Sequence, residues 1–189
     1  MGLSFPVFAM KSESILETYA KSISAAPILF ENISKDPLER IKKFVAFIFT
    51  FSRLFSDMDK PFNPTLGETF QTNIGPCSYS GEQTSHHPPQ TSFYLEGKDF
   101  VLHATLELVA NMSVNSAVGR FEGDITVEFK DGGKVIGRIP SGEMSGFLVG
   151  ENLFAPKSSC YAYDPESGLV CSYKVGEKDN FRGYIGKLK

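Results

Sequence analysis

A chain of 189 residues, 41% of them hydrophobic, is long enough to enclose one real core. Its 19 basic and 22 acidic side chains leave a formal charge of −3, which argues against nucleic acid as the principal partner because no basic surplus exists to displace counterions. Three cysteines, Cys77, Cys160 and Cys171, form an odd set without CxxC spacing, so neither a disulfide framework nor a zinc knuckle is expected.

The N-terminal run MGLSFPVFAM has no basic leader and too short an apolar stretch for a signal peptide. Ser14-x-x-Glu17 then has capping-box spacing, and Ile15, Leu16, Tyr19, Ala20 and Ile23 recur at helical intervals until Pro27, which is expected to stop them. Asp36-Pro37-Leu38-Glu39 is a stronger start signal, with Asp as N-cap, Pro at the first helical position and Glu at the third. The spacing predicts a helix to about Phe55, nearly encircled by Leu38, Ile41, Phe44, Val45, Ile48, Phe49 and Phe51 and therefore mostly buried. The apolar run from Phe44 to Phe55 falls well below the ~20 residues of a bilayer span, so a soluble protein with peripheral membrane contact is expected.

Two unusual runs follow. In KPFNPTLGETF, from Lys60 to Phe70, Pro61 and Pro64 restrict the backbone around Asn63, and Gly67 permits a tight turn. Such a frame can cradle phosphate oxygens with ammonium, amide and backbone donors. In EQTSHHPP, from Glu82 to Pro89, Pro88 pushes His87 toward extended geometry and holds the histidine pair at a strand end. Successive side chains on extended backbone diverge, so two imidazoles can meet one polyanion from different angles.

From Leu66 onward the period becomes two, with turn signals every eight to twelve residues. Phe100, Leu102, Ala104, Leu106 and Leu108 line one strand face, and Ile125, Val127 and Phe129 another. Asp131-Gly132-Gly133 and Asp164 to Gly168 read as turns, and Asn180 to Leu188 as a last strand. So many consecutive antiparallel strands favour a barrel or a strongly curled sheet.

On these residues alone the histidine pair reads first as imidazoles bonded to backbone carbonyls beside a Pro-Pro turn, then as an anion site, then as metal ligands. His103 would complete the set of a metal hydrolase, but its place on the polar face of an apolar strand reads as merely exposed or satisfied. Nothing in the sequence brings Glu68 and Glu82 together as a catalytic pair.

In this order the two runs resemble the signature of the oxysterol-binding-protein-related lipid-transfer family, whose fingerprint EQ-x-SHHPP leaves only Thr84 to a variable place. The stretch DPLERIKKFVAFIF (Asp36 to Phe49), the KPFNPTLGE loop and the glycine-rich region from Ile139 to Gly150 resemble the same domain. The resemblance implies an α+β, β-rich fold: an incomplete antiparallel β-barrel with a lipid tunnel, preceded by an N-terminal lid and a helical segment. Residues 1–189 would form a single ligand-binding domain, with lid and helices in 1–59 and barrel in 60–189. Domains of this family continue past the point where this chain stops, so the chain reads either as a fragment or as a short form whose open sheet edge has to be covered by pairing with something, a homo-oligomer being one way.

The resemblance also implies that Lys60, Asn63, His86 and His87 bind the inositol phosphate of phosphatidylinositol 4-phosphate, while a sterol or another lipid uses the tunnel. Leu3, Phe5, Val7, Phe8, Ile15 and Tyr19 would belong to the lid. The implied activity is non-enzymatic lipid exchange between membranes by a cytoplasmic protein peripheral to organelles, with no catalytic residue, metal or cofactor. A phosphoinositide sensor or adaptor without net transfer is the alternative.

An imidazole beside a dianionic phosphate is favoured in its charged form, so headgroup binding should strengthen as the pH falls from about 8 to about 6. Affinity measured across that range tests direct contact, and a flat profile counts against it.

Overall fold

The computed structural model describes residues 10–51, 60–112, 116–145, 153–156, 158–175 and 181–187. Strand β1 (Met10–Ser14) leads into helix α1 (Ile15–Ser22), where the Ser14 amide donates to Glu17 Oε2 at 2.8 Å, as the capping box predicts. Pro27 does not stop this helix. The break falls at the turn 23–25, and Pro27 lies in the first turn of α2 (Ala26–Phe30), where first-turn amides have no helical partner and a missing N–H is harmless.

Helix α3 (Pro37–Phe51) starts as expected, with Asp36 Oδ1 accepting the Leu38 amide at 3.0 Å. Its predicted extension to Phe55 lies outside the described residues. Burial is one-sided rather than encircling: Phe44, Phe47, Ile48 and Phe51, spaced i, i+3, i+4 and i+7, are fully enclosed, whereas Leu38 is exposed and Phe49 half-buried. Buried Arg40 anchors the helix, donating to Ser34 O at 3.0 Å, Gly132 O at 2.6 Å and Asp131 Oδ1 at 2.5 Å. Its guanidinium also lies 4.0 Å over the Phe129 ring.

The rest is strand: β2 (Lys60–Phe62), β3 (Thr69–Ile74), β4 (Cys77–His86), β5 (Pro89–Glu96), β6 (Phe100–Met112), β7 (Ser116–Glu122), β8 (Ile125–Phe129), β9 (Lys134–Gly137), β10 (Gly142–Ser145), β11 (Leu153–Pro156), β12 (Ser159–Asp164), β13 (Leu169–Val175) and β14 (Phe181–Lys187). Strand β2 pairs in parallel with β1, and β3 to β14 form one antiparallel sheet. Strands β3 to β6 meander, and the long β6 then forks. Its first part pairs with β8, opening a branch through β9, β12, β13 and β14, and its last part pairs with β7, opening a branch through β10 and β11. Gly123 sits at the fork with φ 115°, where a Cβ would come within 2.2 Å of Thr105 O.

Both predicted turns form, between β8 and β9 and between β12 and β13. Among the described residues β3, β11 and β14 each keep an unpaired edge, so the barrel is incomplete. No helix among those residues is long and apolar enough to cross a membrane.

The helices cover the inner face of the sheet. Tyr19 lies with its ring centroid 5.4 Å from Phe93, 5.9 Å from Phe51 and 6.1 Å from Phe121. Phe100, Leu102, Ala104 and Leu106 of β6 join this core, but Leu108, past the fork, is exposed. All three cysteines are free and buried, and burial pushes the Cys77 thiol up to about 11, with Glu31 adding to the shift. Phe51→Ala should cost about 3–5 kcal/mol in urea unfolding, and Phe49→Ala clearly less. Equal losses would contradict the one-sided burial of α3.

Candidate functional site

Both unusual runs are held by β4. Lys60 opens β2 with its backbone in register with Met10, and past Phe62 the exposed Asn63 is followed by a buried Pro64. The proline thus pins the loop while the amide faces solvent. Glu68 Oε2 accepts the Thr65 amide at 2.9 Å and its hydroxyl at 3.2 Å, so this carboxylate closes its own loop rather than joining Glu82. Gly67, at φ 78°, donates its amide to Gln83 O at 2.9 Å, and the Gln83 amide donates to Glu68 O at 3.0 Å.

Along β4 the residues Cys77, Tyr79, Gly81 and Gln83 face inward by alternation. The register then shifts: Gln83 pairs with Thr91 and Ser85 with Gln90, leaving Thr84 as the extra residue of a bulge. Gln83 Nε2 donates to Ser85 O at 2.9 Å, and the Thr91 hydroxyl donates to Gln83 Oε1 at 2.6 Å. His86 pairs with Pro89, so His87 and Pro88, joined by a cis peptide, form the tip of the β4–β5 hairpin.

The two imidazoles do not diverge as extended backbone predicts. Their ring centroids are 4.7 Å apart with planes at 60°, because His86 ends the strand and His87 belongs to the turn, where alternation no longer applies. Both are exposed, and among the described residues neither ring hydrogen-bonds to the protein, so the pairing with backbone carbonyls is not realised. Their nitrogens face solvent at the end of the sheet to which the Gln83 bonds tie the Asn63 loop.

Other candidates lie elsewhere. His103 sits level with Tyr94 well along β5, its Nε2 3.8 Å from Glu128 Oε1. Among the described residues no group of three His, Cys, Asp or Glu side chains could hold a metal ion. A depression of about 690 Å³ on the outer face is lined by polar residues such as Gln71, Glu82, His103 and Glu128 together with apolar ones such as Val101 and Ala104. Leu3, Phe5, Val7 and Phe8 lie outside the described residues. Ile15 and Tyr19 are buried in the core, and the buried Tyr79 hydroxyl donates to Leu16 O at 3.1 Å. Burial raises the Tyr19 and Tyr79 phenols well above the ordinary range.

Sequence reasoning passed over Gln83 and Tyr79. The signal was the parity of β4, which puts a glutamine and a tyrosine on the face that an inward strand reserves for apolar side chains.

A family profile described as "Oxysterol-binding protein" matches residues 2–183. The chain belongs to the oxysterol-binding protein family. Among its relatives, oxysterol-binding protein 9 of Dictyostelium discoideum is 29% identical over 171 residues, which are 88% of this chain and 40% of that protein. Oxysterol-binding protein-related protein 3C of Arabidopsis thaliana is 29% identical over 140 residues, 73% of this chain and 31% of the relative. The chain therefore spans well under half the length of these curated relatives.

Solved structures share the family fold. The Osh1 ORD domain in complex with ergosterol superposes with a TM-score of 0.87 at 19% identity, covering 98% of this chain and 47% of that one. The Osh3 ORD in complex with PI(4)P from Saccharomyces cerevisiae gives 0.84 at 24% identity, covering 98% and 53%.

Because a Cβ at Gly67 would meet open space, Gly67→Ala should destabilise by about 1 kcal/mol from backbone conformation alone. Denaturant unfolding measures this, and no loss would mean that the loop does not hold Gly67 at positive φ.

Proposed function

We propose that this chain is the ligand-binding part of a non-enzymatic lipid carrier that grips phosphatidylinositol 4-phosphate with Lys60, Asn63, His86 and His87 and exchanges it for a sterol or another lipid. The observation that carries the reading is the pair of exposed imidazoles 4.7 Å apart, which no described residue hydrogen-bonds, at the end of a strand that also holds the Asn63 loop. Relatives of the same fold solved with PI(4)P and with ergosterol support both ligand classes.

A magnitude argument explains why the headgroup decides. Burying several hundred Å² of apolar lipid is worth about 10 kcal/mol against water. The lipid starts in a bilayer, however, where that surface is already dry, and most of this term cancels. Charge-assisted hydrogen bonds of roughly 1.5–3 kcal/mol each then set the preference. The carrier works in the cytoplasm, peripheral to membranes. The N-terminal segment, with Leu3, Phe5, Val7, Phe8 and the buried Ile15 and Tyr19, acts as its lid.

Transfer between two liposome populations tests the whole reading. His86→Ala/His87→Ala should slow phosphatidylinositol 4-phosphate extraction about a hundredfold, for one lost bond per ring, and leave sterol uptake unchanged. Removing residues 2–9, which spares Leu16 and Tyr19 in the core, should speed loss of bound lipid. Unchanged extraction by the double variant removes the headgroup site, unchanged retention removes the lid, and binding without net movement makes the protein a sensor instead.

A further inference from the structure

Gln83 joins the two halves of the proposed headgroup site. Its main chain holds the Asn63 loop through Gly67 and Glu68. Its side chain spans the bulge, from the residue before Thr84 to the carbonyl of Ser85 after it, and takes the Thr91 hydroxyl from β5. Gln83 and Thr91 are only 1% and 4% exposed, and a primary amide is costly to bury unless its partners are built for it. A residue that merely filled space at this inward position would be apolar, like Leu95 and Phe93 on the neighbouring strand.

A bulge is one surplus residue, and losing it would slip the register of the strand beyond it by one residue and exchange the faces of the side chains there. We infer that Gln83 is a positioning residue: its side chain clamps the bulge at Thr84 and so fixes the face and place of His86 at the strand end, from which the turn carries His87, relative to the Asn63 loop. The inference rests on reading that pair as headgroup ligands.

Gln83→Met keeps the volume and loses both side-chain bonds, and Thr91→Val loses the donor to Oε1. Each single variant leaves a buried polar group without its partner, so stability and affinity should both fall. The double variant Gln83→Met/Thr91→Val removes both partners, which restores much of the stability but leaves the bulge unclamped. Affinity for a water-soluble short-chain phosphatidylinositol 4-phosphate should be about tenfold weaker or more in all three, with the melting temperature but not the affinity recovering in the double variant. The imidazole resonances of His86 and His87 should also be displaced in the ligand-free double variant.

Affinity that recovers with the melting temperature, or stays within about twofold of the unsubstituted protein in the singles, overturns the positioning role. Should the unsubstituted protein fail to bind the probe, the phosphoinositide reading falls by itself. The ligand-free resonances then decide the clamp: displaced, they sustain it, and unmoved, they overturn it.

Discussion

A β-strand sorts its side chains by parity, and β4 obeys that sorting from Cys77 to Gln83 before abandoning it at Thr84. Before the bulge, inward residues build core. After it, two adjacent histidines reach solvent together, which an unbroken strand would place on opposite faces. The loop that carries Asn63 is bonded to the last regular residue of the same strand, so one short segment holds that loop and the histidine pair, while Lys60 is held by the pairing of β2 with β1.

The sheet that carries this tip cannot enclose a core alone, because it is open. Its inner face is closed by helices whose contributions are largely aromatic: Tyr19 from α1, Phe30 from α2, and Phe44, Phe47 and Phe51 from α3. This limits how a lid can work. Leu16 and Tyr19 are fully integrated, and the Tyr79 hydroxyl is satisfied by the Leu16 carbonyl, so lifting α1 would expose aromatic surface and orphan a buried phenol.

Polar and apolar work are divided on a single sheet. The inner face and helices exclude water, the hairpin tip offers imidazoles that no described residue hydrogen-bonds, and the depression of mixed lining lies on the opposite surface. For a ligand that is itself half apolar and half charged, such separation lets the charged end carry selectivity, because the apolar end gains little on leaving a membrane.

Strand periodicity and the Asp-Gly-Gly and Asp164 to Gly168 turns were legible in the chain because alternation and turn chemistry are local, as were the capping box and the Asp36 N-cap. The family was legible in EQTSHHPP and KPFNPTLGE, two runs that lie within the residues matched by the family profile. The role of Pro27 was misread, since a proline that ends one helix and a proline that starts the next look alike until the preceding turn is seen. Leu38 was misplaced because hydrophobicity does not say which elements arrive to cover a residue, and for the same reason the exposure of Leu108, on the strand face the period gave it, was not legible. The sequence by itself thus determined the elements, their turns and the chemistry on offer at two short runs. Only the tertiary structure decided that the imidazoles lie close together at an angle and that Gln83 is buried and bonds the second run to the first, because a bulge and a cross-strand register belong to pairs of strands and to neither strand alone.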